Sequence, residues 1–229
     1  MRESLTIMNA VYLTALLYDC IYEQWSAEKM LTVSAKEKEK ITSVIRRKYK
    51  MVAQSLADQF RYPTGRAGLQ QLGYPEELIE VLPDDVAQWY CGVGNPLSLS
   101  DIMPGESVLD LGCGAGVDTI LAARLVEPNG TAVGVDLSEE MIERAKSNKQ
   151  VSETENVEFQ VVDTESLPFD DGQFDVVTSN AMLNLAVEKK QVLQEAYRVL
   201  KKGGRIQIAD QILVGDLMDQ KQAVESWFK

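Results

Sequence analysis

The sequence predicts an α/β fold: a parallel sheet flanked by helices, preceded by a helical extension. Three observations predict it. From residue 106 onward, apolar strand-like runs recur at 106–111, 131–136, 157–162, 174–179 and 204–210. Stretches with helical spacing fill the gaps at about 116–126, 138–150 and 188–200, and such alternation gives parallel strands joined by right-handed crossovers. The first strand also runs into a glycine turn, V-L-D-L-G-C-G-A-G (Val108 to Gly116), and the second ends in an acid, G-V-D (Gly134 to Asp136). This is the layout of a nucleotide-like pocket at the C-terminal edge of a parallel sheet.

The elements follow in order. Apolar residues at Leu5, Met8, Val11, Tyr12, Ala15, Leu16, Ile21, Tyr22 and Trp25 fall near helical spacing and predict a helix over 5–31. Its Asn9, Thr6, Thr14 and Asp19, with no basic start, argue for a buried or partner-packing helix over a membrane or signal segment. Its apolar face makes a homodimer through the N-terminal helices an expectation. Ser34 and Glu37 form a capping box that opens a second helix, with Ile41, Val44, Ile45, Val52 and Leu56 as its apolar face. The lysines and arginines between Lys36 and Lys50 read as a solvated face. Tyr62 to Gly65 is a turn, a short helix follows Pro75, and W-Y-C-G-V-G-N-P (Trp89 to Pro96) is a shaped loop. Pro128-Asn-Gly130 and Lys202-Gly-Gly204 are the breaks before the second and fifth strands. The chain thus divides into a helical extension over 1–85 and a ligand-binding domain over 86–229.

Bulk properties narrow the function. At 229 residues, 45% hydrophobic and 25% charged, the chain is a globular protein. Its net charge of −12 argues against nucleic acid as a partner, which needs clustered cations. Cys20, Cys91 and Cys113 have no C-x-x-C spacing, so neither a zinc site nor a disulfide framework is indicated, no metal is expected, and a reducing cytoplasmic setting is the simplest reading. The complete lack of histidine removes Ser-His-Asp and Cys-His chemistry from this chain.

The candidate site gathers at three strand ends. Gly112, Gly114 and Gly116 allow a close backbone approach. Asp110 just before them would repel a pyrophosphate and attract an ammonium group. Asp136 can accept both hydroxyls of a ribose. Met141 is suited to lie against an adenine face, although packing explains it equally well. Asp163, in V-V-D-T-E-S-L-P-F, can accept from an exocyclic amine. Asn180 and Asn184 flank the end of the fourth strand, where they either orient a substrate or cap the following loop. Trp89, Tyr90 and Cys91 belong to the loop over the pocket.

These motifs resemble those of class I S-adenosylmethionine-dependent methyltransferases. D-L-G-C-G-A-G resembles the first motif, G-V-D-L-S the second and D-T-E-S-L-P-F the adenine-side loop. F-D-V-V-T-S-N and R-V-L-K-K-G-G-R resemble the fourth strand and the turn before the fifth. The resemblance covers about 86–212. It implies a Rossmann-like class I methyltransferase sheet and S-adenosylmethionine as cofactor. Asp110 and the glycines would hold the methionine end, Asp136 with Leu137 the ribose side, and Asp163 with Thr164 the adenine amine; Met141 and Asn180 would complete the cofactor set. Of the family's further helix and strand pair after the fifth strand, D-Q-K-Q-A-V-E-S-W-F-K (Asp219 to Lys229) would begin the helix, and the rest would not fit in the nineteen residues that follow Asp210.

Within that class, L-G-Y-P-E-E-L, G-V-G-N-P and S-N-A-M-L-N-L look like segments of arsenite methyltransferases. That family binds trivalent arsenic through cysteines, and this chain has Val93 and Ala181 where two of them usually stand. Methyl transfer from a sulfonium is chiefly a matter of alignment, and positioning alone contributes ~7–11 kcal/mol. Lack of histidine is therefore no objection, and Tyr90 and the acids are the local candidates if a base is needed. The expected function is methyl transfer to a small-molecule acceptor, with Tyr90, Cys91, Asn180 and Asn184 as substrate-side candidates. The alternatives are a cofactor-binding module without catalysis, arsenite methylation through Cys91, and a nicotinamide dehydrogenase, which the glycine spacing disfavours.

Overall fold

The computed structural model describes residues 11–14, 33–57 and 59–211. Among them, six strands form one sheet: β1 (Val11–Thr14), β2 (Ser107–Leu111), β3 (Thr131–Asp136), β4 (Val157–Val161), β5 (Phe174–Asn180) and β6 (Leu200–Ala209), in the order β1-β6-β5-β2-β3-β4. The five strands from β2 to β6 are mutually parallel. They match the predicted ones to within a few residues at their ends, and the sheet is the Rossmann-like class I methyltransferase arrangement. Chain order reverses on either side of β2, so the C-terminal ends of β2 and β5 make the crevice in which open α/β sheets bind ligands.

The helices are α1 (Ala35–Val52), α2 (Gly65–Gln71), α3 (Glu76–Glu80), α4 (Asp84–Ala87), α5 (Val117–Leu125), α6 (Glu139–Val151) and α7 (Lys189–Val199). On one sheet face, α5 is buried from Val117 to Ala123, because it is wedged between the strands and α2–α4. Leu69, Ile79, Val86, Ile120, Ile142 and Phe159 share that core. On the other face, α7 buries Val192, Ala196 and Val199 against Leu109, Val135, Val177 and Ile206. Each fully buried aliphatic side chain contributes about 1.5–3 kcal/mol.

One expectation needs correction, and one helix is new. Residues Val11–Thr14, placed in a helix by their spacing, form β1, which pairs antiparallel with the outer edge of β6 from Val11↔Ile208 to Thr14↔Arg205. A β-branched and aromatic run meets an open row of backbone donors and acceptors there, and tertiary pairing overrides the local period. The rest of the expected helix 5–31, with its dimer face, lies outside the described residues, as does the helix expected after residue 211. Helix α2 was not anticipated, since the turn expected over Tyr62 to Gly65 stops at its first residue. Its Gly65 and Gly68 hide the helical signal, and Gly68 is required because a Cβ there would sit 2.6 Å from the Pro63 carbonyl oxygen.

Candidate active site

At the crevice, the chain encloses a cavity of roughly 1080 Å³, its open mouth included. Its floor is the glycine turn. Gly112 and Gly114 have φ of 71° and 52°, and a Cβ on Gly112 would lie 2.3 Å from Met182 Cγ. Gly112 and Gly114 line the cavity, as do Asp110, Asp136, Leu137, Asp163, Thr164 and Asn180. The sequence therefore brought most of its candidates to one place.

Two cofactor candidates are elsewhere. Met141 is 1% exposed and packs with Val52, Ala53 and Ala115 under the glycine turn, so it is a core residue. Gly116 is not on the wall either; a Cβ there would collide with Phe159 at 2.5 Å, so it is a packing glycine. Of the substrate-side candidates, Tyr90 and Cys91 line the cavity, but Asn184 does not. The Asn184 backbone N–H instead donates to Asp210 Oδ2 at 2.9 Å, so Asp210 caps this loop, and the buried Asn184 Oδ1 has no hydrogen-bond partner among the described residues.

The acids are held by their neighbours. Asp136 Oδ2 accepts from the Gly114 N–H at 2.9 Å and Oδ1 from the Ser138 N–H at 2.8 Å, which ties the end of β3 to the glycine turn. Asp110 accepts from the Thr119 hydroxyl at 2.6 Å and the Thr178 hydroxyl at 2.9 Å. Its carboxylate has about four lone-pair sites, so a further donor can still be accepted. Asp163 is exposed at the cavity rim, where it accepts from the Glu165 N–H at 3.0 Å.

Sequence reasoning missed Asp118, which is buried and lines the cavity beside Asp110. Its Oδ1 accepts from the Tyr74 hydroxyl at 2.5 Å and its Oδ2 from the Asn180 side-chain amide at 2.9 Å. The signal was available: V-D-T-I-L-A-A is an apolar helix start interrupted by two polar residues. Burial raises the pKa of Asp110, Asp118 and Asp136 above the ordinary aspartate value, and the charge of Asp118 raises Asp110 further.

Asn180 joins this network to the loop. Its Oδ1 accepts from the Val93 N–H at 2.9 Å, and its amide also donates to the Gly94 carbonyl at 2.9 Å and the Tyr90 hydroxyl at 3.2 Å. Over the cavity lies α1, which contributes Lys38, Thr42, Ile45 and Tyr49 to the wall. Lys38 is ion-paired with Glu165, and Lys50 with Glu140 at 2.6 Å. Part of the basic face read as solvated therefore fastens the helix down. Trp89, also on the wall, is braced by the Arg144 guanidinium, 4.1 Å from its ring centre.

A family model described as a methyltransferase domain matches residues 102–229. The chain belongs to that family. It is 42% identical over 159 residues to an arsenite methyltransferase of Halobacterium salinarum, which covers 69% of this chain and 40% of that protein. A demethylmenaquinone methyltransferase of Lactococcus lactis is 39% identical over 127 residues, or 56% of this chain and 50% of the relative. Among solved structures, an arsenic (III) S-adenosylmethionine methyltransferase of Chlamydomonas reinhardtii is similar, with 34% identity and a TM-score of 0.50 over 65% of this chain and 50% of that one. The chain spans no more than half the length of these relatives. No helix among the described residues of this methyltransferase-family chain is long and apolar enough to cross a membrane.

Proposed function

We propose that this protein binds S-adenosylmethionine in the cavity beneath α1 and transfers its methyl group to a small molecule held in the same space. The observation that carries the reading is the wall itself: among the described residues, the glycine floor and five acids (Asp110, Asp118, Asp136, Asp163 and Glu165) share one cavity with a single lysine, Lys38, which is already paired with Glu165. Such a lining attracts a ligand that carries positive charge and repels phosphates. Gly112 and Gly114 lack the side chains that would fill the floor.

The residues present fit the cofactor. Asp110 and the glycine floor would take the amino-acid end, Asp136 and Leu137 the ribose side, and Asp163 with Thr164 the adenine edge. When bound, the cofactor supplies an electrophilic methyl group on a cationic sulfur that leaves as a neutral thioether. The chain's own work is alignment and exclusion of water, by α1 above and the Trp89–Gly94 loop at the side.

Isothermal calorimetry with S-adenosylmethionine tests the reading. Micromolar binding is expected, weakened at least tenfold in Asp136→Ala; heat-silent titration of the folded wild type would overturn it. Binding without transfer to any acceptor would favour the non-catalytic module.

Arsenite transfer through Cys91 is the second reading, because Cys91 and Cys113 both line the cavity. Burial pushes the Cys91 thiol up to about 12 and the Cys113 thiol well above its ordinary value. A soft metalloid needs two or three converging thiolates, and these two thiols resist ionisation. Arsenite methylation retained in Cys91→Ser would sink this route.

A further inference from the structure

Asp118 is a buried carboxylate that meets no cation among the described residues, and this asks for an explanation. The groups that face Asp118 are Tyr74 between α2 and α3, Tyr90 and Cys91 from the loop, Asn180 of β5 and Asp110 of β2, and none is cationic. Tying Tyr74 and Asn180 together would need only a neutral amide, and burying an unpaired charge opposes folding.

We propose that Tyr90, Tyr74 and Asp118 form a proton relay that runs from the acceptor, behind the cavity wall, to Asp118, so that the acceptor is protic: a hydroxyl or amine that must lose a proton as it gains the methyl group. The inference rests on the methyl-transfer reading above and names the acceptor class of the same cavity. Tyr90 is on the wall, its hydroxyl lies 3.3 Å from that of Tyr74, and Tyr74 in turn donates to Asp118 Oδ1 at 2.5 Å. The Asn180 amide donates one N–H to Asp118 Oδ2 at 2.9 Å and shares the other between the Gly94 carbonyl at 2.9 Å and Tyr90 Oη at 3.2 Å, which fixes the spacing of the two ends of the chain. It uses one lone pair of Tyr90 Oη and leaves the other for an incoming proton. At rest the Tyr90 proton points to the Gly94 carbonyl at 2.7 Å; a rotation of the hydroxyl redirects it to Tyr74.

The balance closes. The acceptor's proton goes to Tyr90 Oη, the Tyr90 proton to Tyr74 Oη, and the Tyr74 proton to Asp118 Oδ1. The acceptor's oxygen or nitrogen gains the methyl as the sulfonium donor becomes a thioether. One positive and one negative charge thus vanish together in a site shielded from water, where separated charges are costly. Raised affinity for a proton suits Asp118 to the terminal position, since a base works best with a pKa near the working pH. Tyr90 and Asp118 are both on the cavity wall, and Tyr74, which is not, links them as a positioning residue.

The test uses the full chain with methyl-labelled S-adenosylmethionine and four probes: catechol, benzylamine, dithiothreitol and arsenite. Transfer to catechol or benzylamine is expected, with kcat rising as pH passes through the Asp118 titration. Tyr74→Phe and Tyr90→Phe should each lower kcat about 100-fold, the lower range of general base catalysis, with donor KM unchanged within twofold and the acid limb lost. A readout independent of activity is the carboxyl carbon resonance of Asp118, assigned with Asp118→Asn. It should titrate above the ordinary aspartate value, and higher still in Tyr74→Phe, because the Tyr74 hydrogen bond favours the charged form. The relay is overturned by transfer to dithiothreitol or arsenite alone, by no transfer to any probe in protein that binds the cofactor, by a full rate in Tyr74→Phe, or by an ordinary Asp118 titration. Failure to bind the cofactor would overturn the methyl-transfer reading itself. If Tyr74→Phe does not fold, the wild-type probe series and carboxyl titration still decide.

Discussion

Ala181 shows how local strain is placed at the site. It has a φ of 61° on the cavity wall, between Asn180, which is locked into the Tyr90–Asp118 network, and Met182, which covers the glycine floor. A left-handed non-glycine residue costs about 1–2 kcal/mol, while glycine loses about 0.5–1 kcal/mol of chain entropy. Relief of strain wins, so Ala181→Gly should raise stability by up to about 1 kcal/mol in urea unfolding. The converse holds at Gly112, where a Cβ would strike Met182 and φ is 71°. Gly112→Ala should destabilise by about 1–3 kcal/mol and impair cofactor binding, measurable by the same unfolding curves and by calorimetry.

Helix α1 is the element whose role changed most between sequence and structure. Lys38, Thr42, Ile45 and Tyr49 follow helical spacing along one stripe, and that stripe roofs the cavity. The Lys38–Glu165 pair is 39% and 12% exposed at its two ends, so it lies between a surface and a buried bridge. Lys38→Glu should weaken cofactor affinity several-fold by loosening the roof. Adding Glu165→Lys should recover part of the loss, with a coupling of about 0.5–1 kcal/mol in a double-mutant cycle read by calorimetry at low salt.

The helix itself was legible. Ser34 and Glu37 form the expected capping box, and both reciprocal hydrogen bonds are present. Its position over the cavity was not, because a stripe of lysine, threonine, isoleucine and tyrosine does not state what it covers. The same limit applies to Asp118 and Met141. Strand ends and glycine turns are local and place Asp110 and Asp136 reliably, whereas which side of a helix meets ligand or core depends on its neighbours.

For the whole molecule, three buried acids set the response to pH. Burial raises the pKa of Asp110, Asp118 and Asp136 in the folded chain, so the folded state holds protons that the unfolded state has released. Their contribution to stability is full below the ordinary aspartate range and is lost as pH rises through the raised values. Glu106, paired with Arg205, and Glu195, paired with Arg198, are lowered and act in the opposite sense at the acid end, but they are partly solvated and weigh less. The ligand-free protein should therefore lose thermal stability between mildly acidic and neutral pH. A cationic ligand reverses this by favouring the ionised acids. Calorimetry in two buffers of different ionisation enthalpy should show net proton release on binding S-adenosylmethionine at mildly acidic pH.

The antiparallel edge formed by β1 carries a last consequence, in the order of folding. Its partners on β6 lie about 200 residues along the chain, and closing so long a loop in an unfolded chain costs about 5 kcal/mol. Four paired residues supply a comparable net gain at about 1 kcal/mol per hydrogen bond. The ladder therefore cannot nucleate folding and docks only after the parallel strands have drawn its ends together. Until then β6 presents an open edge, the hazard that leads to intermolecular pairing. The stretch left open runs from Arg205 to Ile208, and the exposed Lys201 and Lys202 stand just before it.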